Sequence, residues 1–212
     1  MAGIIREKTG EHSFYAVWKI TESLRELEAM IPLRPSEAGL YESFQVETRK
    51  KQWLAYRVLI KSMLLPEEFL VEYDETGKPF LAGSKYHISV THSGDLAAVI
   101  ISSKGRVGID LETARERIER VKERFLHPEE LAMIGEKDVC FRLTQAWCAK
   151  EALYKLFGHR GLDFRENIRI HLPPGLQEGD FDGHILHDGA WIHFPLTARI
   201  ISGSVLVYAA EQ

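Results

Sequence analysis

The sequence predicts an α+β fold, and two observations carry that expectation. Short runs rich in β-branched and aromatic residues recur along all 212 residues, several of them close enough to pair as hairpins. Two long helical patterns stand among them, one around Trp53 and one around Trp147. A doubly wound parallel sheet would call for regular alternation of strand and helix, so mixed elements with hairpins favour α+β.

In chain order, residues 14–19 alternate as a strand and 21–31 read as a helix, followed by a helical region over 35–64. In its second part Trp53, Tyr56, Ile60, Met63 and Leu64 form an apolar stripe bordered by Lys50, Arg57 and Lys61. Strands are expected at 69–73, 86–91 and 96–101, the last two joined by a turn at Gly94-Asp95. Val107 to Glu112 is the next strand, and helices follow at 114–125 and 128–134. Phe141, Leu143, Trp147, Leu153, Tyr154, Leu156 and Phe157 then give a dense helical pattern with Gly158 just beyond it. Strands at 168–172, 191–194 and 205–208 complete the chain. The two helical centres give a faint internal repetition, one per half.

A formal charge of −4 and a pI near 6.2 argue against a general nucleic-acid binder, which would carry a basic footprint. No run of about 18 apolar residues and no secretory pattern occurs, so no membrane association and a cytoplasmic location are expected. Cys140 and Cys148 are too few and too poorly spaced for a zinc site or a disulfide framework, and read as reduced packing residues.

The chemistry concentrates in two motifs. In Val107-Gly108-Ile109-Asp110-Leu111-Glu112 apolar and other residues alternate, so both acids leave a half-buried strand by one face, with backbone origins roughly 7 Å apart. Enclosed like charges at that spacing call for a proton or a cation between them, and magnesium suits carboxylates that share it with phosphates. On the later helix Trp147, Glu151 and Lys155 follow an i, i+4, i+8 line on one face. Taken alone, Glu151 and Lys155 could equally be a surface pair worth about 0.3 to 0.5 kcal/mol.

Gly-Ile-Asp-Leu-Glu followed about forty residues later by Trp-x-x-Lys-Glu-Ala-x-x-Lys resembles the paired signature of the 4′-phosphopantetheinyl transferases. The likeness extends to Gly77-Lys78-Pro79, Ser89-Val90-Thr91-His92-Ser93, the stretch 125–130 and Gly158-His159-Arg160-Gly161-Leu162, all in the family's order. It covers about residues 49 to 165 and looks most like the longer, two-halved type that activates non-ribosomal peptide synthetases. The resemblance implies two similar α/β halves, 1–105 and 106–212, related by a pseudo-two-fold, with the active site between them.

It also implies a reaction: transfer of 4′-phosphopantetheine from coenzyme A to a serine of an apo acyl or peptidyl carrier protein, releasing adenosine 3′,5′-bisphosphate. Asp110, Glu112 and Glu151 would hold Mg2+. Glu151 would also serve as base, Lys155 would stabilise phosphate charge, and Lys150 would contact phosphate or orient the site. Coenzyme A would meet Arg57 and, more weakly, Lys61, together with Lys78, Pro79, Thr91, His92 and Lys155. A monomer follows from a site built between two halves of one chain.

Blander readings stand beside several of these. Arg49, Lys50, Lys51, Arg57 and Lys61 could be the solvated edge of an amphipathic helix, and the alternating charges from Arg115 to Arg124 an exposed face. Thr91, His92 and Ser93 could be ordinary turn residues. Ser89 and Thr91 depart from the family's Asn-x-Ser-His-Ser. Glu130 could sit near the metal or complement a helix dipole behind Pro128, and His159 and Arg160 replace a more usual glycine-rich stretch. The same site chemistry would serve a magnesium-dependent nucleotide diphosphate hydrolase, and a catalytically silent carrier-binding homologue is the third alternative.

Overall fold

A computed structural model describes residues 3–65, 68–159 and 161–211. The first half opens with β1 (Ile4–Lys8), β2 (Ser13–Lys19), α1 (Leu24–Met30), α2 (Pro35–Ser43) and α3 (Glu47–Leu64). It continues through β3 (Val71–Tyr73), β4 (Pro79–Leu81), β5 (His87–Ser93) and β6 (Leu96–Ser102). The second half begins with β7 (Val107–Glu112), a 3₁₀ turn (Glu116–Arg120), α4 (Lys122–Phe125), α5 (Pro128–Ile134) and α6 (Val139–Phe157). The strands β8 (Ile168–His171), β9 (Gly179–His187), β10 (Ala190–Ile201) and β11 (Ser204–Ala210) follow. The fold is α+β, with two antiparallel sheets ordered β1-β2-β6-β5 and β7-β11-β10-β9-β8, plus the small β3-β4 hairpin.

Three apolar clusters hold these layers. Trp53, Leu54 and Leu59 of α3 pack with Trp18, Val99 and Ile101 of the first sheet. Leu143, Ala149 and Leu153 of α6 pack with Ile185, Leu196 and Val207 of the second. The third joins the halves: Tyr15, Val17, Ala98 and Ile100 meet Ile109, Leu111, Leu206 and Tyr208. The alternation in β7 is real, since Val107, Ile109 and Leu111 enter this central cluster while Gly108, Asp110 and Glu112 face α6. The strand is nevertheless buried on both faces rather than half-buried.

Between β5 and β7 the usual backbone ladder is replaced by side chains. Ser89, Thr91 and Ser93 point across the gap, and their hydroxyls accept from the backbone N–H groups of Ile109, Leu111 and Thr113 at 3.2, 3.3 and 3.4 Å. The edge strand's orphan donors are satisfied in this way.

Most expected elements form, with several instructive differences. The helical region over 35–64 is two helices broken at residues 44–46, and 114–125 is a 3₁₀ turn followed by one short α-helical turn. β1 and β4 have no sequence-based counterpart. Neither does β9, because one of its inward positions is Gly183, where a Cβ would stand 2.7 Å from side-chain carbons of Leu153 and Leu196 and so blunts the apolar alternation. β10 extends seven residues past the expected end at 194, through Pro195, which is tolerated because pairing with β11 begins only at Leu196.

Candidate active site

The second-half wall depends on a close approach. A Cβ at Gly108 would lie 1.9 Å from the carbonyl oxygen of Ala152, so only glycine lets α6 sit this tightly on β7. That approach brings Lys155 Nζ within 2.6 Å of Asp110 Oδ1 and 3.2 Å of the Ile109 carbonyl. Thr91 Oγ1 donates to the same Asp110 oxygen at 3.0 Å, and Ser93 Oγ donates to Glu112 at 2.8 Å. The Lys155 side chain pairs with Asp110 of the adjoining β7 rather than with Glu151 along its own helix, so the surface-pair reading fails.

Charge in this corner is incompletely balanced. Burial pushes the Glu151 carboxyl up to about 7, against the pull of the Lys155 ammonium and with further upward pressure from Asp110 and Glu112. For Lys155 burial disfavours the charge, but Asp110 and Glu151 outweigh it and hold the ammonium above its ordinary pKa. Asp110 Oδ2 is buried and has no hydrogen-bond partner. Among the described residues no three His, Cys, Asp or Glu side chains already form a ligand cage, and the Lys155 ammonium covers one Asp110 oxygen. The donor set still fits a hard cation: three carboxylates, one with an unpaired buried oxygen and one whose pKa is raised by burial and by the neighbouring acids.

Asp110, Glu112, Trp147, Glu151 and Lys155 line one side of a cavity of about 370 Å3. Across it stand Arg49 and Tyr56 of α3, Tyr73 of β3, Pro79, and Thr91 and His92 of β5. A second cavity of about 200 Å3 shares Pro79, Glu151 and Lys155 with the first and adds Lys78, Ser89, Tyr154 and His159. The two make one cleft between the halves. Lys78 donates to the Leu156 carbonyl at 3.4 Å, and burial, then Arg106, lowers its pKa. Arg160 lies outside the described residues.

His92 is held neutral. Burial, followed by Arg49 and Lys155, lowers its pKa to about 4, so its Nε2 accepts a hydrogen bond from Arg49. The Thr91 hydroxyl is already committed, donating to Asp110 and accepting from Leu111, and so positions the acid.

Three candidates are not in the cleft. Arg57 is 1% exposed, pairs with Glu37 at 2.9 Å and lies 3.2 Å above the Trp53 ring centroid. Lys61 donates to the Met30 carbonyl at 3.1 Å. Lys150 is fully buried; its ammonium binds Glu130 and the carbonyls of Phe164 and Ile168, each at 2.7 Å. Glu130 in turn accepts from the backbone of His127 and Ile170, so it is a cap and a buried anchor rather than a metal neighbour. Arg49 and Tyr73 line the cleft instead. The signal for Arg49 was available: Arg57 lies between Tyr56 and Val58 inside the apolar stripe, whereas Arg49 opens the helix among polar residues.

A further cavity of about 430 Å3 adjoins the acids, sharing Glu112 and Trp147 with the cleft. Ile118, Val121 and Trp147 give it an apolar floor, while exposed Arg115, Arg117 and Arg120 stand around it.

Residues 106–183 match the model of the 4′-phosphopantetheinyl transferase superfamily. The chain is 44% identical over 70 residues to the 4′-phosphopantetheinyl transferase AcpT of Salmonella typhi, covering 32% of this chain and 36% of that protein. It is 37% identical over 84 residues to AcpT of Escherichia coli K12, covering 39% and 43%. To the 4′-phosphopantetheinyl transferase HetI of Nostoc sp. it is 27% identical over 181 residues, covering 74% of each. The chain thus spans little more than a third of the Salmonella relative's length, and the segment matched by the family model, 106–183, holds Asp110, Glu112, Glu151 and Lys155. The segment 106–183 of this chain is therefore similar to the 4′-phosphopantetheinyl transferase superfamily, and a longer stretch is similar to HetI.

Proposed function

We propose that the protein transfers 4′-phosphopantetheine from coenzyme A to a serine hydroxyl of an apo carrier protein and releases adenosine 3′,5′-bisphosphate. The observation that carries this reading is the unpartnered buried oxygen of Asp110 within a cluster of acids, facing a wall that bears Arg49 and His92. Acids on one side and an arginine on the other suit a ligand with phosphates at both ends of its nucleotide.

Asp110, Glu112 and Glu151 would hold magnesium, which when bound neutralises the diphosphate and polarises the phosphorus under attack. Lys155, charged and tethered by Asp110, stabilises negative charge that grows on the phosphate oxygens. Glu151, which lines the cleft beside Lys155, takes the proton of the incoming serine directly or through a water. Lys78 and Pro79 flank the nucleotide, and Arg49, docked on neutral His92, meets its 3′-phosphate. The carrier approaches over the arginine-rimmed cavity, which opens beside Glu112. One chain supplies both walls, so the active species is a monomer. Among the described residues no helix is long and apolar enough to cross a membrane.

The test is mass spectrometry of apo carriers incubated with the protein, coenzyme A and magnesium. One phosphopantetheine should be added, and changing the acceptor serine to alanine should prevent it. Cleavage of the diphosphate without any acceptor, with no transfer to fatty-acid, polyketide or peptide-synthetase carriers, would replace this reading with that of a hydrolase.

A further inference from the structure

Behind the first-half wall lies a hydrogen-bond chain whose proton count is unbalanced. Arg57, fixed by Glu37 and by the face of Trp53, donates from Nη1 to the hydroxyl oxygen of Tyr56. The indole N–H of Trp53 donates to the hydroxyl oxygen of Tyr73 at 3.0 Å. The two tyrosine hydroxyls bond each other. Guanidinium and indole can only donate, so neither oxygen can send its proton back toward them. One hydroxyl hydrogen is used between the tyrosines and one is left over.

Burial decides which. Tyr56 is 3% exposed, whereas Tyr73 is 37% exposed, and both line the cleft with Arg49 and His92. If Tyr73 donated to Tyr56, the spare hydrogen would sit on the buried phenol without an acceptor, which is costly. The favoured order is therefore Arg57 to Tyr56 to Tyr73. In that order the Tyr73 oxygen receives two bonds, from Trp53 and Tyr56, and among the described residues its own hydrogen has no acceptor. It can neither accept from a ligand nor turn around.

We propose that Tyr73 is a specificity-determining residue that donates a hydrogen bond to the 3′-phosphate of the donor nucleotide, with buried Arg57 fixing the direction of that bond through Tyr56. The inference rests on the reading of coenzyme A as donor substrate. A ribose hydroxyl could be served by either polarity and an adenine ring nitrogen accepts but is uncharged, whereas a group locked as donor beside the Arg49 cation is matched best to a ligand atom that only accepts and carries charge, which is a phosphate oxygen. Arg57 thus acts on the phosphate at one remove.

The experiment is calorimetric binding of adenosine 3′,5′-bisphosphate and of adenosine 5′-monophosphate to the wild-type chain and to Tyr73→Phe, with thermal melting as a control on the fold. Tyr73→Phe should weaken the bisphosphate about tenfold or more and leave the monophosphate within twofold, the range for one hydrogen bond to a charged acceptor. In turnover the same variant should raise KM for coenzyme A with kcat nearly unchanged, and should not alter KM for dephospho-coenzyme A. Equal losses for the two nucleotides, or none, would overturn the role of Tyr73 while leaving the transferase reading intact. Failure of the wild-type chain to bind the bisphosphate at all would overturn both.

Discussion

The two walls of the cleft are built by opposite means. In the second half, β7 and α6 supply Asp110, Glu112, Glu151 and Lys155 from two continuous segments, and close packing at Gly108 sets their spacing. In the first half, Arg49 comes from α3, Tyr73 from β3, Pro79 from β4 and His92 from β5. One wall is a rigid pair of elements carrying charges in regular order; the other is assembled from four elements and held by a polar network running back to Glu37. A site of the first kind is set by local spacing and survives as a motif. The second kind depends on tertiary structure.

Changes to the second-half wall should have the largest effects. Asp110→Ala should lower transfer about a thousandfold, since it would remove a proposed cation ligand and free Lys155 from its position. Circular dichroism should remain native, because Lys155 keeps the Ile109 carbonyl and a quarter of its side-chain surface in water. Retained activity in Asp110→Ala would remove this wall from the chemistry. Gly108→Ala, which alters no charge, should destabilise the protein by about 3 kcal/mol through overpacking against Ala152 and lower the melting temperature accordingly. A melt equal to wild type would mean that the helix can retreat without loss.

The first-half wall should respond more gently. Arg49→Ala should raise KM for coenzyme A about tenfold and leave dephospho-coenzyme A little affected, whereas Arg57→Lys, behind the wall, should show itself first as lost stability. The reverse pattern would restore Arg57 as the direct contact. The smallest effect concerns His92, whose folded pKa of about 4 lies below its ordinary 6.5. Between those values the unfolded chain binds more protons than the folded one, so this contribution is present above pH 6.5 and is lost as the pH falls toward 4. Melting temperatures of wild type and His92→Asn should therefore converge across that window.

The same contrast accounts for what the sequence makes legible. Asp110, Glu112, Glu151 and Lys155 were readable because strand and helix periodicity project them onto single faces. Lys150 misleads because five residues separate it from Lys155, which turns it to the opposite side of α6, where Glu130 and two carbonyls consume it. Arg57 misleads because a charge inside an apolar stripe looks like an exposed border until Glu37, from another helix, is seen to meet it. Tyr73 carries no motif; its role follows from partners on α3, and pairing across elements is not written in spacing. Among the strands, β9 escapes because an inward glycine breaks its alternation, and β1 because this edge strand beside β2 buries no residue fully and so lacks an apolar alternation.

The seam between β5 and β7 has a consequence for heredity. A seam of main-chain amides cannot be altered by changing a codon, because every residue supplies the same groups. Here Ser89, Thr91 and Ser93 make the connection through side chains, two of which also hold the acids Asp110 and Glu112. The distance between the two walls is thus encoded in three codons. Single nucleotide changes at these three positions can widen, tilt or loosen the cleft, which gives selection a direct handle on its width.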